Sequence, residues 1–139
     1  MTIVIDASMS LAWVFERQQP SDRERADHLL ASCGAEPWWV PGLWHLEVAN
    51  ALVVAERRAV IQADSSDEFL NQLYKLQINT DLQPLAERQM RVLALARSEG
   101  LSSYDASYLA LAQQLGATLA SFDRKLNQAA TNLGVSLLP

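Results

Sequence analysis

Thr2-Ile3-Val4-Ile5-Asp6-Ala7-Ser8 opens the chain, and Ala117-Thr118-Leu119-Ala120-Ser121-Phe122-Asp123 repeats its grammar near the end. The first is a β-branched run without polar alternation, which reads as a strand buried on both faces, and residues 8–13 then read as a helix. The second is another apolar strand that ends in an acid, with a helix beginning near Arg124. Asp6 and Asp123 therefore stand at the carboxyl ends of two strands. That edge is where ligands bind in open α/β sheets.

Outward from these two runs, strands and helices alternate. Residues 21–33 read as a charged amphipathic helix with Ser21 as candidate cap, and Trp38-Trp39-Val40 as a short strand ended by Pro41-Gly42. Helices are expected at 43–58, 67–76, 85–98 (stopped by Gly100) and 103–112, with strands at 78–82 and, as a closing edge strand, at 135–138. Such alternation favours an α/β fold, a single three-layer domain over residues 1–139 with a central parallel sheet flanked by helices. The chain's 139 residues, half of them hydrophobic, suffice for one core that buries about two-thirds of the unfolded surface. No composition shift or repeat marks a second domain.

Two further acids interrupt apolar helix faces. Glu47 shares its face with Leu43, Trp44, Asn50 and Ala51, and Asp105 lies over Tyr108, Leu109 and Ala112. Each acid alone has an ordinary explanation: Asp6, Asp105 and Asp123 fall at helix starts, where an Asp caps free N–H groups, and Glu47 can snorkel or pair. Jointly they point elsewhere. Two end parallel strands and two lie on helices expected to pack against the same sheet. Carboxylates brought together without a cation would repel until one took a proton. Magnesium or manganese, hard ions that prefer oxygen, relieves that repulsion.

Four blocks carry a family resemblance: Ile3-Val4-Ile5-Asp6-Ala7-Ser8, Leu46-Glu47-Val48-Ala49-Asn50-Ala51-Leu52, Leu101-Ser102-Ser103-Tyr104-Asp105-Ala106-Ser107-Tyr108 and Leu119-Ala120-Ser121-Phe122-Asp123-Arg124-Lys125-Leu126. In order and spacing, over nearly the whole chain, the sequence resembles the PIN-domain nucleases, and more narrowly the VapC-type toxins of toxin–antitoxin pairs. The resemblance implies that Asp6, Glu47, Asp105 and Asp123 hold Mg2+ or Mn2+ as the catalytic quartet. It also implies polar support from Ser8, Asn50 and Ser121, although threonine is commoner at the last position. It implies an RNA substrate, a homodimer, and a cognate antitoxin that lays a helix or tail along the toxin and often sets an arginine near the acids.

Composition adds constraints. A net charge of -5 disfavours tight binding of a free polyanion, since most nucleic-acid binders carry a basic footprint. Arg124 and Lys125, directly after Asp123, are the candidate phosphate contacts, with solvated helix residues as the ordinary reading. Cys33 is the single cysteine, so no internal disulfide forms. With neither a signal segment nor a membrane span, a cytoplasmic location is expected. The apolar stretch 8–16 and the four tryptophans suggest surface covered by a partner, or simply core.

Other chemistries fit less well. Phosphoryl transfer to Asp6 would want a second acid where Ser8 stands, His28 and His45 have no recognisable metal or nucleophile spacing, and no glycine-rich phosphate loop follows the first strand. Two alternatives stay open: a nuclease of RNA maturation or decay, and a non-catalytic interaction domain whose acids only cap helices.

Overall fold

The computed structural model describes residues 1–139. Its centre is β1 (Ile3–Ile5), which pairs in parallel with β2 (Trp38–Val40) on one side and with β4 (Thr118–Ala120) on the other. β3 (Ile78–Thr80) adds in parallel outside β2, so the sheet order is β3-β2-β1-β4. Composition follows position. All of β1 and β4 is buried, the outer side of β4 being bridged by residues 136–138, whereas Ile78-Asn79-Thr80 at the opposite edge is only partly covered.

Seven helices flank the sheet: α1 (Ala7–Leu11), α2 (Pro20–Ala31), α3 (Leu43–Arg57), α4 (Ala63–Lys75), α5 (Leu85–Glu99), α6 (Ser103–Leu115) and α7 (Arg124–Asn132). α6 lies against β1, β4, α5 and α7, which explains its nearly continuous apolar run from Ala106 to Ala112. Gly116 ends it in the left-handed region (φ 60°), a conformation that costs glycine little. The chain then enters β4 at Thr118.

The topology sets the place of the site. From β1 the chain moves outward through β2 to β3, then returns to lay β4 on the opposite side of β1. The strand order thus reverses between β1 and β4. At such a reversal the connections diverge to either side and leave a crevice at the carboxyl ends of the two strands.

Several sequence expectations need correction. α2 starts at Pro20, with Gln19 rather than Ser21 in the capping position; proline's fixed φ and missing N–H suit the first turn. α4 starts at Ala63, a turn before the apolar periodicity begins, with Asp64 favouring its N-terminus. α1 stops at Leu11. Residues 135–138 make one bridge, Leu119 with Leu137, held by Leu119 N–H to Ser136 O (2.8 Å) and Leu138 N–H to Leu119 O (2.9 Å), rather than a strand.

Most of the tryptophan surface is core. Trp38 and Trp44 are buried, and Trp13 stacks on Trp38 at 5.9 Å while its indole N–H donates to Ala26 O at 2.8 Å. The chain therefore covers this part of its apolar N-terminal segment itself. Val14 and Phe15 remain at an open apolar groove with Ala51, Val54, Val60 and Ile61.

Candidate active site

Asp6 is the best-held of the four acids. It caps α1, its Oδ1 accepting from Met9 N–H at 3.0 Å and from the Ser8 hydroxyl at 2.7 Å, while Oδ2 accepts from the Ser121 hydroxyl. Each serine in turn accepts a backbone N–H from the turn after β4: Phe122 donates to Ser8 and Asp123 to Ser121, both at 2.9 Å. Two serine relays thus join the exit of β1 to the exit of β4 across the switch point. Trp44 supports the same corner from α3, its indole donating to Ser10 Oγ (3.0 Å), which donates to Asp6 O (3.1 Å).

Asp123 caps α7 by accepting from Leu126 N–H at 2.9 Å. Capping and edge position coincide in Asp6 and Asp123, so the two readings of these acids are compatible. Asp105 does not cap. Ser102 does, its Oγ accepting from Asp105 N–H at 3.1 Å, which leaves the Asp105 carboxylate free of that role. Glu47, one turn into α3, accepts from the Tyr108 hydroxyl at 2.5 Å.

The electrostatics tie the four together pairwise. Asp6, only 5 % exposed, has its pKa pushed up from 3.8 to about 6, chiefly by burial; its hydroxyl and backbone bonds pull it down and the Asp123 charge adds to the rise. Glu47 is raised by burial against the Tyr108 bond, with Asp105 adding to it. Asp105 is raised by burial and then by Asp123, with the Ser102 bond and Lys125 drawing it back. Burial, and then the bond to Glu47, drives the Tyr108 hydroxyl far above its usual range, so it stays a donor.

None of the four acids is in a salt bridge; the chain's ion pairs are Met1–Glu36, Arg17–Asp22, Arg23–Asp27 and Arg88–Asp81. Nor do they form a finished cage, because no three His, Cys, Asp or Glu side chains are grouped closely enough to hold an ion as they stand. Burial first, and the neighbouring carboxylate charge second, raise the pKa values of Asp6, Glu47 and Asp105. The donor set nevertheless fits a hard divalent ion, being all oxygen, anionic, partly desolvated and outside any salt bridge.

Other expected residues divide. Ser8 and Ser121 bond Asp6 directly, whereas Asn50 is exposed on α3 and its side chain makes no hydrogen bond. Lys125 acts on Asp105, but Arg124 lines a separate cleft with Arg17 and Arg25. Neither histidine joins the acids: His45 pairs with Thr80 at 2.9 Å and His28 is exposed. Sequence reasoning placed Tyr108 beside Asp105 without giving it a role; its i+3 spacing from Asp105 was the available signal.

A parallel sheet with acids outside any salt bridge at its switch point defines an α/β domain with an anionic strand-end edge. A family model described as PIN domain matches residues 3–132, and Ribonuclease VapC3 of Pyrobaculum aerophilum is 31% identical over 126 residues, 91% of this chain and 92% of that protein. The chain belongs to the PIN-domain family, among the VapC-type ribonucleases. In fold it is similar to the crystal structure of PAE2754 from Pyrobaculum aerophilum (TM-score 0.67, 22% identity, 99% of this chain and 92% of that one). It is similar also to FitAcB from Neisseria gonorrhoeae (TM-score 0.65, 18% identity, 99% and 96%).

Proposed function

We propose that this nuclease is a Mg2+- or Mn2+-dependent endoribonuclease, acting in the cytoplasm as the toxin of a toxin–antitoxin pair, with Asp6, Glu47, Asp105 and Asp123 as its metal-holding catalytic set. The observation that carries the reading is the switch-point cluster itself: four acids coupled in sequence, the deepest held by two serine relays, and none neutralised by a lysine or arginine in a salt bridge. When bound, the ion supplies Lewis acidity, making a water nucleophilic near neutral pH and offsetting charge on the phosphodiester.

The protein's own groups do the rest. Ser8, Ser121 and Met9 N–H fix both Asp6 oxygens, and donation to the carboxylate favours its charged form against burial. Tyr108 orients Glu47 in the same way. Asn50 contributes support only if its side chain turns inward from its exposed position. Lys125 lies near enough to Asp105 to meet a phosphate brought there.

Because water is the attacking group, the RNA 2′-hydroxyl takes no part, and the products carry 5′-phosphate and 3′-hydroxyl ends. Purified protein incubated with total RNA and Mg2+ or Mn2+, with chelator and Asp6→Asn controls and mapping of ends, tests this. Ends bearing 2′,3′-cyclic phosphate would overturn it. A cognate antitoxin and a second copy of the chain are the proposed protein partners, and the open apolar groove at Val14, Phe15 and Val60 supports a partnered surface. Growth arrest on induction, relieved by a small protein encoded next door, separates the toxin from a nuclease of RNA maturation or decay.

A further inference from the structure

Beside the acids lies a cleft of about 760 Å³ between the α1–α2 connection, α2 and α7, lined also by Ser121 and Phe122. Three arginines from these three elements converge on it: Arg17, Arg25 and Arg124. The guanidiniums of Arg17 and Arg25 both sit over the Phe122 ring, 4.5 and 5.3 Å from its centroid. Two acids, Glu16 and Asp22, also line the cleft. Asp22 is already engaged by Arg17 Nε at 2.9 Å.

Like charges gathered from separate elements repel, so their convergence has to be held by something. Here the ring of Phe122 holds two of them through cation–π attraction, and Arg25 also donates to Leu138 O at 3.2 Å. Arg124 is exposed and makes no hydrogen bond or ion pair with the protein. The cleft is therefore a place of excess positive charge on a chain of net charge -5. Phe122, its floor, is tied to the acid site, since its N–H bonds Ser8 and its chain neighbours are Ser121 and Asp123.

We infer that the cleft of Arg17, Arg25 and Arg124 over Phe122 is a phosphodiester-binding subsite, which holds the backbone of the single-stranded RNA substrate next to the point of cleavage. The planar fork of arginine matches phosphate oxygens, and a polyanion that must lie over four acids needs compensating charge close by. The inference rests on the ribonuclease reading and resolves its main difficulty, an acidic protein acting on RNA. An acidic protein segment would find the same charge attractive. RNA is favoured because Ser121, which bonds Asp6, also lines the cleft, so that a strand engaged at the acids has the arginines next to it.

The test uses the full chain carrying Asp6→Asn in Mg2+, so that binding is read without cleavage, and follows fluorescence anisotropy of a labelled single-stranded oligoribonucleotide across a salt series. Arg124→Ala and Arg25→Ala are each expected to weaken binding roughly three- to tenfold and to lower the slope of log K against log salt by about 0.7. Arg124→Lys should keep the slope and lose part of the affinity. In the cleaving protein the same changes should raise KM more than they lower kcat. Thermal melting of each variant guards against misfolding, and exposed Arg124 provides the variant least able to disturb the fold. Unchanged affinity and slope in Arg124→Ala and Arg124→Glu would overturn the inference, as would absence of RNA binding by the parent. Arginine-dependent binding of polyglutamate without arginine-dependent binding of RNA would overturn it in favour of a protein ligand. If no RNA is cut while binding remains arginine-dependent, the ribonuclease reading falls and the subsite stands.

Discussion

The acid site has two halves built on different principles. At the β1 and β4 exits, Asp6 and Asp123 are fixed by backbone N–H groups and two serines. On the helices, Glu47 and Asp105 are half-buried; Glu47 has one tyrosine bond, and Asp105 has only Ser102 to steady it. Strand exits supply a rigid anchor because their position is set by the ladder. Helix faces supply acids that can adjust, because a single side-chain partner on each leaves rotamers open. On the proposed reading, the strand half would fix the place of an ion and the helix half would adjust to it.

The sharpest way to break this contrast is Asp6→Asn, for which we expect loss of metal-dependent cleavage to below detection with the fold retained, since Asn caps helices nearly as well as Asp. RNA cleavage and circular dichroism on the same sample check it. If Asp105→Asn abolishes activity and Asp6→Asn does not, the anchor has been assigned to the wrong half.

Next comes stability against pH in chelator. Asp6 titrates near pH 6 in the folded chain against an ordinary value of 3.8, so the native state holds the proton more tightly than the unfolded one. That contribution is complete below about pH 3.8 and is lost as pH rises through about 6, amounting to on the order of 3 kcal/mol. Chelated protein should therefore melt at a higher temperature near pH 5 than at pH 7.5. Asp6→Asn should flatten that decline, and saturating Mg2+ should restore stability at neutral pH by about 3 kcal/mol at a hundredfold excess over Kd. A melting profile that rises steadily from pH 5 to 7.5 would contradict the desolvated anchor.

Ser121→Ala should cost about 10–100-fold in activity or metal affinity, because it frees Asp6 Oδ2 and also orphans Asp123 N–H. Tyr108→Phe is expected to cost about tenfold or less, the lower end of the same range, since Glu47 is partly exposed. Paired kcat and calorimetric metal titrations distinguish the two. Equal losses would mean that the helix half is as rigidly held as the strand half.

What the sequence made legible was local. β-branched runs ending in acids marked β1, β4 and the positions of Asp6 and Asp123, and Gly100 marked the end of α5. Boundaries slipped where periodicity was silent, as at the polar first turn of α4, or where Pro20 opened α2 ahead of the serine expected to cap it. The joins within the site were less legible. Ser121 to Asp6 spans 115 residues and Tyr108 to Glu47 spans 61, and only the strand order brings such pairs together. The arginine cleft was hidden for the same reason: its three cations come from separate segments of an acidic chain, and only Arg124 adjoined a recognised motif.

The double duty of Asp6, at once a helix cap and the deepest acid, bears on how such a chain can become harmless under selection. Alanine there would forfeit the Met9 cap together with the chemistry. Asparagine replaces one oxygen by an amide nitrogen, still accepts from Met9 N–H and Ser8, and can donate to a Ser121 hydroxyl free to rotate. Among survivors of forced expression, escape at this codon should run to asparagine far more often than to alanine, leaving folded but silent chains able to occupy whatever partner the active ones bind.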